Sequence, residues 1–386
     1  MKNSFFSFLL LTCVFSSGFA QTHSSHVRMS VITCSPGDEL YSLFGHTALR
    51  VIDSASHSDI VYNWGTFSFN EPNFYLKFLR GNLLYYVSAY SFTDFLEEYT
   101  VEHRSVYEQE LNADSTVKRK IMDAVDHNME GPNRFYKYDF LLDNCTTRVK
   151  NIVFENAAGA TIDQKIVPAQ TTARDLIHYY LERGGKPWTE LGIDILLGTP
   201  VDRPVSNDEA MFMPEFFMKG LANAKKSNEP VVSDATLVLQ GEPQQHPSWK
   251  WLPLMVLTIA SLCIFLISVM KQNGAAATLR IFDALLLYIT GLIGILITFM
   301  WFATDHTVCQ DNFNLAWALP TNLVAAFFLT KRPPWLKTYF LVAAIIAALV
   351  LATWFWMPQQ LNIALLPVVL LLLNRYVKLA QPGPKR

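Results

Sequence analysis

The sequence predicts an α+β domain followed by a helical transmembrane bundle of about five helices. Three patterns carry this expectation. Strand-like runs dominate residues 27–69, and helical patterns recur from 91 to 183. Long apolar segments then crowd the chain after Trp249. The chain has 386 residues, of which 51% are hydrophobic, and the apolar excess lies in that last part. A formal net charge of −2 gives no electrostatic footprint for nucleic acid, and no nucleic-acid partner is expected.

Residues 1–20 read as a secretory signal. Lys2 supplies the positive start, and Phe5 to Phe15 an apolar core too short for a comfortable span. Gly18 and Ala20 allow cleavage before Gln21. Val27 to Cys34 alternates as a strand, and Ser35-Pro36-Gly37-Asp38 is a turn. His46 to Asp53 and Ile60 to Phe69 form a hairpin around the loop at 54–59. Asn73 to Tyr90 is aromatic-rich and breaks at Gly81-Asn82. Ser91 to Asp94 resembles a capping box that opens a helix running to about His103. Ser105 to Leu111 is a further strand. Asp114 caps a helix to Met129 that aligns Val117, Ile121 and Val125 on one face. A helix starts at Cys145 and runs to about Asn156, and another covers Thr171 to Arg183, ended by Gly184-Gly185. The glycines and prolines between Leu191 and Met213 predict irregular backbone, and polar Lys219 to Gln245 predicts a linker.

The apolar segments cover about 252–270, 281–303, 313–330, 336–356 and 360–377, and the third is short and carries Pro320. Lys271, Arg280, Lys331, Arg332, Lys337, Arg375, Lys378, Lys385 and Arg386 cluster in alternate loops and the tail. The loops Thr304 to Asn312 and Pro358 to Asn362 carry no Lys or Arg. The positive-inside rule therefore puts the tail in the cytoplasm and the α+β domain outside. The expected organisation is a signal at 1–20, an exported domain at 21–248, a membrane domain at 249–378 and a cytoplasmic tail at 379–386.

One short run concentrates chemistry. In Tyr138-Asp-Phe-Leu-Leu-Asp-Asn-Cys145-Thr-Thr-Arg148, capping residues stand directly before a helical pattern. A cysteine at a helix N-terminus has its thiolate stabilised by the helix dipole and by free backbone N–H groups. Such a nucleophile needs a base, and His46, which starts a strand after Gly45, is the candidate. Asn63, on the neighbouring strand with Tyr62 and Thr66, is the choice to orient the ring. The Cys145 N–H would help to hold an oxyanion. Cys34, Cys145 and Cys309 face an oxidising compartment, and an odd number leaves at least one thiol unpaired. A Cys34–Cys309 bridge is the pairing that leaves Cys145 free.

Other residues weigh less. His178, between Ile177 and Tyr179, reads as a helix-face residue, and Asp194 and Asp202 cap a loop or position a head group. His306, in an external loop with Asp305 and Asp311, is a candidate lipid contact. No His/Cys/Asp group has metal-ligand spacing and no phosphate loop occurs, so neither metal nor cofactor is expected. Phe74, Tyr75, Phe78, Tyr85, Tyr86, Phe212, Phe216 and Phe217 form either core or a greasy groove leading to the membrane.

Phe44-Gly-His46-Thr-Ala-Leu-Arg50, Tyr62-Asn-Trp-Gly-Thr-Phe67, Asp143-Asn-Cys145-Thr-Thr-Arg148 and Gly192-Ile-Asp-Ile-Leu-Leu-Gly198 with Met213-Pro214 resemble the Bacteroidota-type lipoprotein N-acyltransferase family, known as Lnb. The exported domain is also similar to a circularly permuted papain-like fold of the NlpC type, in which the His strand precedes the Cys helix. The resemblance implies Cys145 as nucleophile and His46 as base. It implies a multi-pass protein of the inner membrane with a periplasmic domain. A phospholipid would be the acyl donor and a diacylated lipoprotein the acceptor. Arg148, Asp194 and His306 are the candidate substrate contacts. Two other classes compete: an NlpC-type cell-wall peptidase or amidase, and a membrane scaffold with a structural Cys145. Five membrane helices and an aromatic excess suit lipid better than cell-wall peptide.

Overall fold

β-Branched and apolar residues fill Val27–Cys34 (β1), His46–Asp53 (β2) and Ser58–Thr66 (β3), and these pair as an antiparallel meander. The structure is a computed structural model that describes residues 26–157, 159–242, 249–269 and 275–381. The expected signal at 1–20 and its cleavage site lie outside these residues. A short helix, Phe74–Leu79 (α1), leads into Leu84–Ser91 (β4). The Ser91 side chain accepts from the Asp94 N–H and opens Phe92–Val101 (α2). Val106–Glu110 (β5) follows. Asp114 caps Ser115–Met129 (α3) in the same way, ahead of Phe135–Lys137 (β6) and Cys145–Asn156 (α4).

Thr161–Ile162 (β7) precedes Ala173–Arg183 (α5), which Thr172 and Asp175 close with reciprocal bonds. The next stretch departs from expectation. Pro187, at the first turn where its missing N–H costs nothing, opens a regular helix, Pro187–Leu196 (α6), that runs through Gly192. Asn207–Ala210 (α7) and Pro214–Ala222 (α8) also replace part of the irregular backbone. The expected linker at 219–245 is structured over its described part. Ala224–Lys226 (β8) and Glu229–Pro230 (β9) make a small sheet with β7, and Thr236–Leu239 (β10) extends the main sheet. Those strands run only two to four residues, too short to show a hydrophobic alternation.

The main sheet has seven strands in the order β10-β5-β1-β2-β3-β4-β6, with β1 and β2 near its middle. One face packs Met29, Leu49 and Trp64 against Ile121, Val149 and Phe217 from α3, α4 and α8. The other packs Ile32, Ala48 and Val61 against Phe95 and Tyr99 of α2. This is the α+β, antiparallel class that the sequence predicts.

A helical region follows: Leu252–Val269 (α9), Ala275–Phe302 (α10), Asn322–Phe328 (α11), Pro334–Thr353 (α12) and Leu366–Ala380 (α13). Among the described residues four helices are long and apolar enough to cross a membrane, at 252–269, 277–302, 334–353 and 363–380. The third apolar segment is broken: a 3₁₀ turn at Phe313–Ala316 and the seven-residue α11 pack against α10. Arg375, counted above with the cytoplasmic cations, is buried instead. Its guanidinium bonds Asp283 twice, at 2.7 and 2.9 Å, between α13 and α10. A charge at this depth persists because its partner neutralises it.

The two regions join at the end of α6. The last carbonyls of a helix lack intrahelical donors. Here Asn314 donates to the Asp194 carbonyl, Asn312 to those of Ile195 and Leu196, and Gln359 to that of Leu197. All three amides come from the loops at 303–321 and 354–365, which puts both loops on the side of the sheet domain. A Cβ on Gly198 would collide with the Gln310 carbonyl. Gly198→Ala should therefore destabilise the joint by about 1–3 kcal/mol. A thermal melt of the purified full chain checks this, and an unchanged midpoint would mean that the contact is loose.

Candidate functional site

Asn144 builds the N-terminus of α4. Its Oδ1 accepts from the Thr146 and Thr147 N–H groups at 2.8 and 2.9 Å, and Thr147 Oγ1 accepts from the Asn144 N–H. The Asn144 Nδ2 donates to the Phe140 and Phe212 carbonyls, which fixes the loop before the helix. Cys145 is therefore the first helical residue, with a backbone N–H that has no intrahelical acceptor.

His46 opens β2 across from α4. Gly45 has φ +83°, and a Cβ there would approach the Cys34 carbonyl to 2.7 Å, so the bend into β2 needs glycine. The His46 Nε2 donates to Asn63 Oδ1 at 3.1 Å, which leaves Nδ1 for the thiol. Gly65 has φ +88° and lies where β3 shifts register against β4. A Cβ there would be 3.4 Å from the Cys145 Cβ and 4.0 Å from the Tyr136 hydroxyl. Thr47 and Thr146 join β2 to α4 through a buried hydroxyl pair at 3.1 Å.

Burial pushes the Cys145 thiol up, but the charge and hydrogen bond of His46, with the Thr47 N–H and the Thr146 hydroxyl, outweigh it and bring the pKa down to about 7. Burial pushes the His46 imidazole down, and Cys145 and Asn63 outweigh it to leave a net rise. The pair thus favours thiolate and imidazolium together. Cys34 and Cys309 behave differently. Both are free and buried in separate apolar clusters, so the bridge considered above does not form. Burial raises each thiol to about 12.

The structure brings Cys145, His46 and Asn63 together. The other three expected residues are engaged by protein. Arg148 makes a bidentate pair with Asp143, and its guanidinium lies 4.0 Å over the Tyr136 ring. Asp194 is 1% exposed, and its carboxylate takes bonds from Arg174, His178 and Asn362. His306 Nε2 bonds the Phe78 carbonyl at 3.1 Å.

His178 is more than a helix-face residue. It joins Glu190 and Asp194 in a group whose ligand atoms lie within 4.8 Å of one another, a set that sequence spacing does not reveal. The Arg174 guanidinium shares the same Asp194 oxygen, so the group is built as an ion-pair network. It borders a cleft of about 520 Å³ beside Trp251 and Trp354, which none of Cys145, His46 and Asn63 lines.

Tyr136 and Tyr138 escaped the sequence reading. The Tyr136 hydroxyl is buried beside the Gly65 N–H and finds no acceptor for its own proton among the described residues. Tyr138 stacks on Tyr85 at 4.5 Å, and contacts continue through Phe67 to Phe74 and Phe78. Phe212, Phe216 and Phe217, grouped with these above, are instead core. The aromatic density of 67–86 was the available signal, but only folding separates the two sets.

An activated thiol beside a histidine and an amide, in an α+β domain bonded to membrane helices, defines a membrane protein with a thiol site. Comparison with known proteins agrees on the membrane class. The family model for the Lnb N-terminal periplasmic domain matches residues 16–179, and that for the Lnb transmembrane domain matches 244–381. The chain belongs to the Lnb family, and it is a lipoprotein-modifying membrane protein with a periplasmic part. No curated protein and no solved structure matches it.

Alkylation should report the pairing directly. The rate at Cys145 should rise with pH through a midpoint near 7, because the thiolate is the reactive form. His46→Ala should move that midpoint upward, while Cys34 and Cys309 stay unlabelled at neutral pH. Peptide mass spectrometry after iodoacetamide treatment measures all three.

Proposed function

We propose that the protein is a lipoprotein N-acyltransferase that moves a fatty acyl chain from a membrane phospholipid to the N-terminal cysteine of a diacylated lipoprotein. The observation that carries this reading is the row Cys145–His46–Asn63 in a domain fastened to a membrane bundle. The reading includes an inner-membrane protein whose domain at 21–248 is exported after loss of a signal at 1–20.

The Cys145 thiolate attacks the ester carbonyl of the phospholipid. The carbonyl oxygen takes the negative charge, and the Cys145 N–H receives it. The Tyr136 hydroxyl, whose proton has no acceptor among the described residues and which a Cβ on Gly65 would meet together with Cys145, is a second donor. As the C–O bond breaks, the His46 imidazolium protonates the departing alkoxide, and a lysophospholipid leaves. The acyl group is then a thioester on Cys145. The α-amine of the lipoprotein attacks it, neutral His46 takes the proton, and thiolate departs as the amide forms. Asn63 keeps the imidazole turned toward sulfur through both halves.

Arg148, Asp194 and His306 enter this reading as positioning residues. Arg148 braces the loop before Cys145 through Asp143. Asp194 holds α6 against the 354–365 loop, and His306 holds α1 against the 303–312 loop. Both substrates are confined to one membrane, so a membrane-fastened site supplies proximity.

In cells lacking other N-acylation, the wild-type chain should yield triacylated lipoproteins and Cys145→Ala should yield diacylated ones by mass spectrometry. Undiminished N-acylation by Cys145→Ala would remove the reading. Turnover of peptidoglycan fragments, with no acyl group found on Cys145, would favour the amidase instead. Tyr136→Phe should keep the fold and the Arg148 contact. As the loss of one oxyanion donor, it should lower kcat about 10²–10³-fold with little change in KM. Single-turnover acylation of Cys145 measures this, and an unchanged rate would take Tyr136 out of the mechanism.

A further inference from the structure

Helix α1 has no buried residue. Tyr75 is 82%, Leu76 54% and Phe78 53% exposed, three large apolar side chains together on one six-residue helix. Neighbouring Phe69 is exposed as well. A soluble domain rarely presents such a patch unless something covers it.

What covers it follows from where α1 is held. The membrane span within α10 ends at Phe302, itself 70% exposed. Three residues later the Asp305 N–H donates to the Arg80 carbonyl at 3.0 Å. The His306 ring bonds the Phe78 carbonyl, and Lys137 pairs with Asp305 at 2.7 Å. Gly81 is where the backbones meet, since a Cβ there would touch Asp305 and His306. The patch on α1 is thus fixed by hydrogen bonds to the residues that follow a membrane helix. Aromatic side chains at that level partition into the interface between head groups and acyl chains.

We propose that α1 is an interfacial membrane element: Tyr75, Leu76 and Phe78 insert into the outer leaflet beside the end of α10. The occupant of the patch is the lipid surface itself. A lipoprotein or a second copy of the chain fits less well, because either would have to displace lipid from a surface continuous with a membrane span. The inference concerns placement and stands whether or not Cys145 carries acyl groups.

The test is photo-crosslinking in the full chain carrying Cys145→Ala, reconstituted in vesicles of phosphatidylethanolamine and phosphatidylglycerol. p-Benzoylphenylalanine replaces Tyr75, Phe302 or Thr116 in turn. Phe302 calibrates a lipid-facing position, and Thr116, exposed on α3, calibrates a solvent-facing one. Intact-protein mass should show phospholipid adducts at position 75 at a yield comparable to 302 and well above 116. A yield at 75 no higher than at 116, or adducts at 75 to a second copy rather than to lipid, would overturn the proposal. Tyr75 touches no core cluster, so its replacement leaves the fold intact, and an unchanged melting temperature verifies this.

Discussion

The arrangement depends on how the C-terminus of α6 ends. Four successive carbonyls, from Asp194 to Leu197, meet side-chain amides of Asn312, Asn314 and Gln359. The amides come from the two loops that cap the membrane helices. Asn312 and Asn314 are 1% and 0% exposed, so each bond replaces water that cannot reach the joint. Losing any one amide would strand a buried carbonyl, at a cost of about 1–3 kcal/mol. Below them Arg174 ties Asp194 to Asp202 and links α5 to the same joint. A sheet domain held this way has a fixed height and tilt over the bilayer, unlike a domain on a tether.

That fixed pose gives meaning to the chemistry of Cys145. Burial alone would make this thiol inert, as it does Cys34 and Cys309. What separates Cys145 is the combination of a helix N-terminus, the Thr47 N–H and a histidine held by Asn63. The thiolate costs desolvation, and the imidazolium beside it offsets that cost. Each charge makes the other tenable, so the two groups titrate as a pair and not as independent residues.

Much of this was legible in the sequence. Caps are local, so Ser91 and Asp114 mark helix starts that the structure reproduces, and of the capping residues before Cys145 it is Asn144 that opens α4. The hairpin of β2 and β3 brought Asn63 to His46 as expected, because a strand pair constrains its neighbours. Long-range partners were not legible. Nothing near Asp194 in the chain announces Asn362, and nothing near Arg375 announces Asp283. Proline and glycine, here Pro187 and Gly192, are breakers by residue type. Their position decides otherwise, since proline suits a first turn and packing tolerates the glycine. The four-residue strand β10 joined the sheet through backbone bonds to β5, and a run that short carries no periodic signature.

The aromatic row from Phe78 through Phe74, Phe67 and Tyr85 to Tyr138 connects two ends of the sheet domain. One end is at the residues that follow a membrane span, and the other adjoins the thiol. In the proposed reaction a phospholipid ester leaves the interface to reach a half-buried sulfur, and its acyl chain would otherwise cross water. Each methylene kept on an apolar surface avoids about 0.8 kcal/mol of exposure. A continuous aromatic strip lowers that barrier without a deep cavity, because the chain can lie along it while its far end stays in the bilayer. For the proposed acyl transfer, membrane helices, a rigid joint and a shallow aromatic path would serve one physical end: to bring an insoluble ester to an activated thiol without dissolving it.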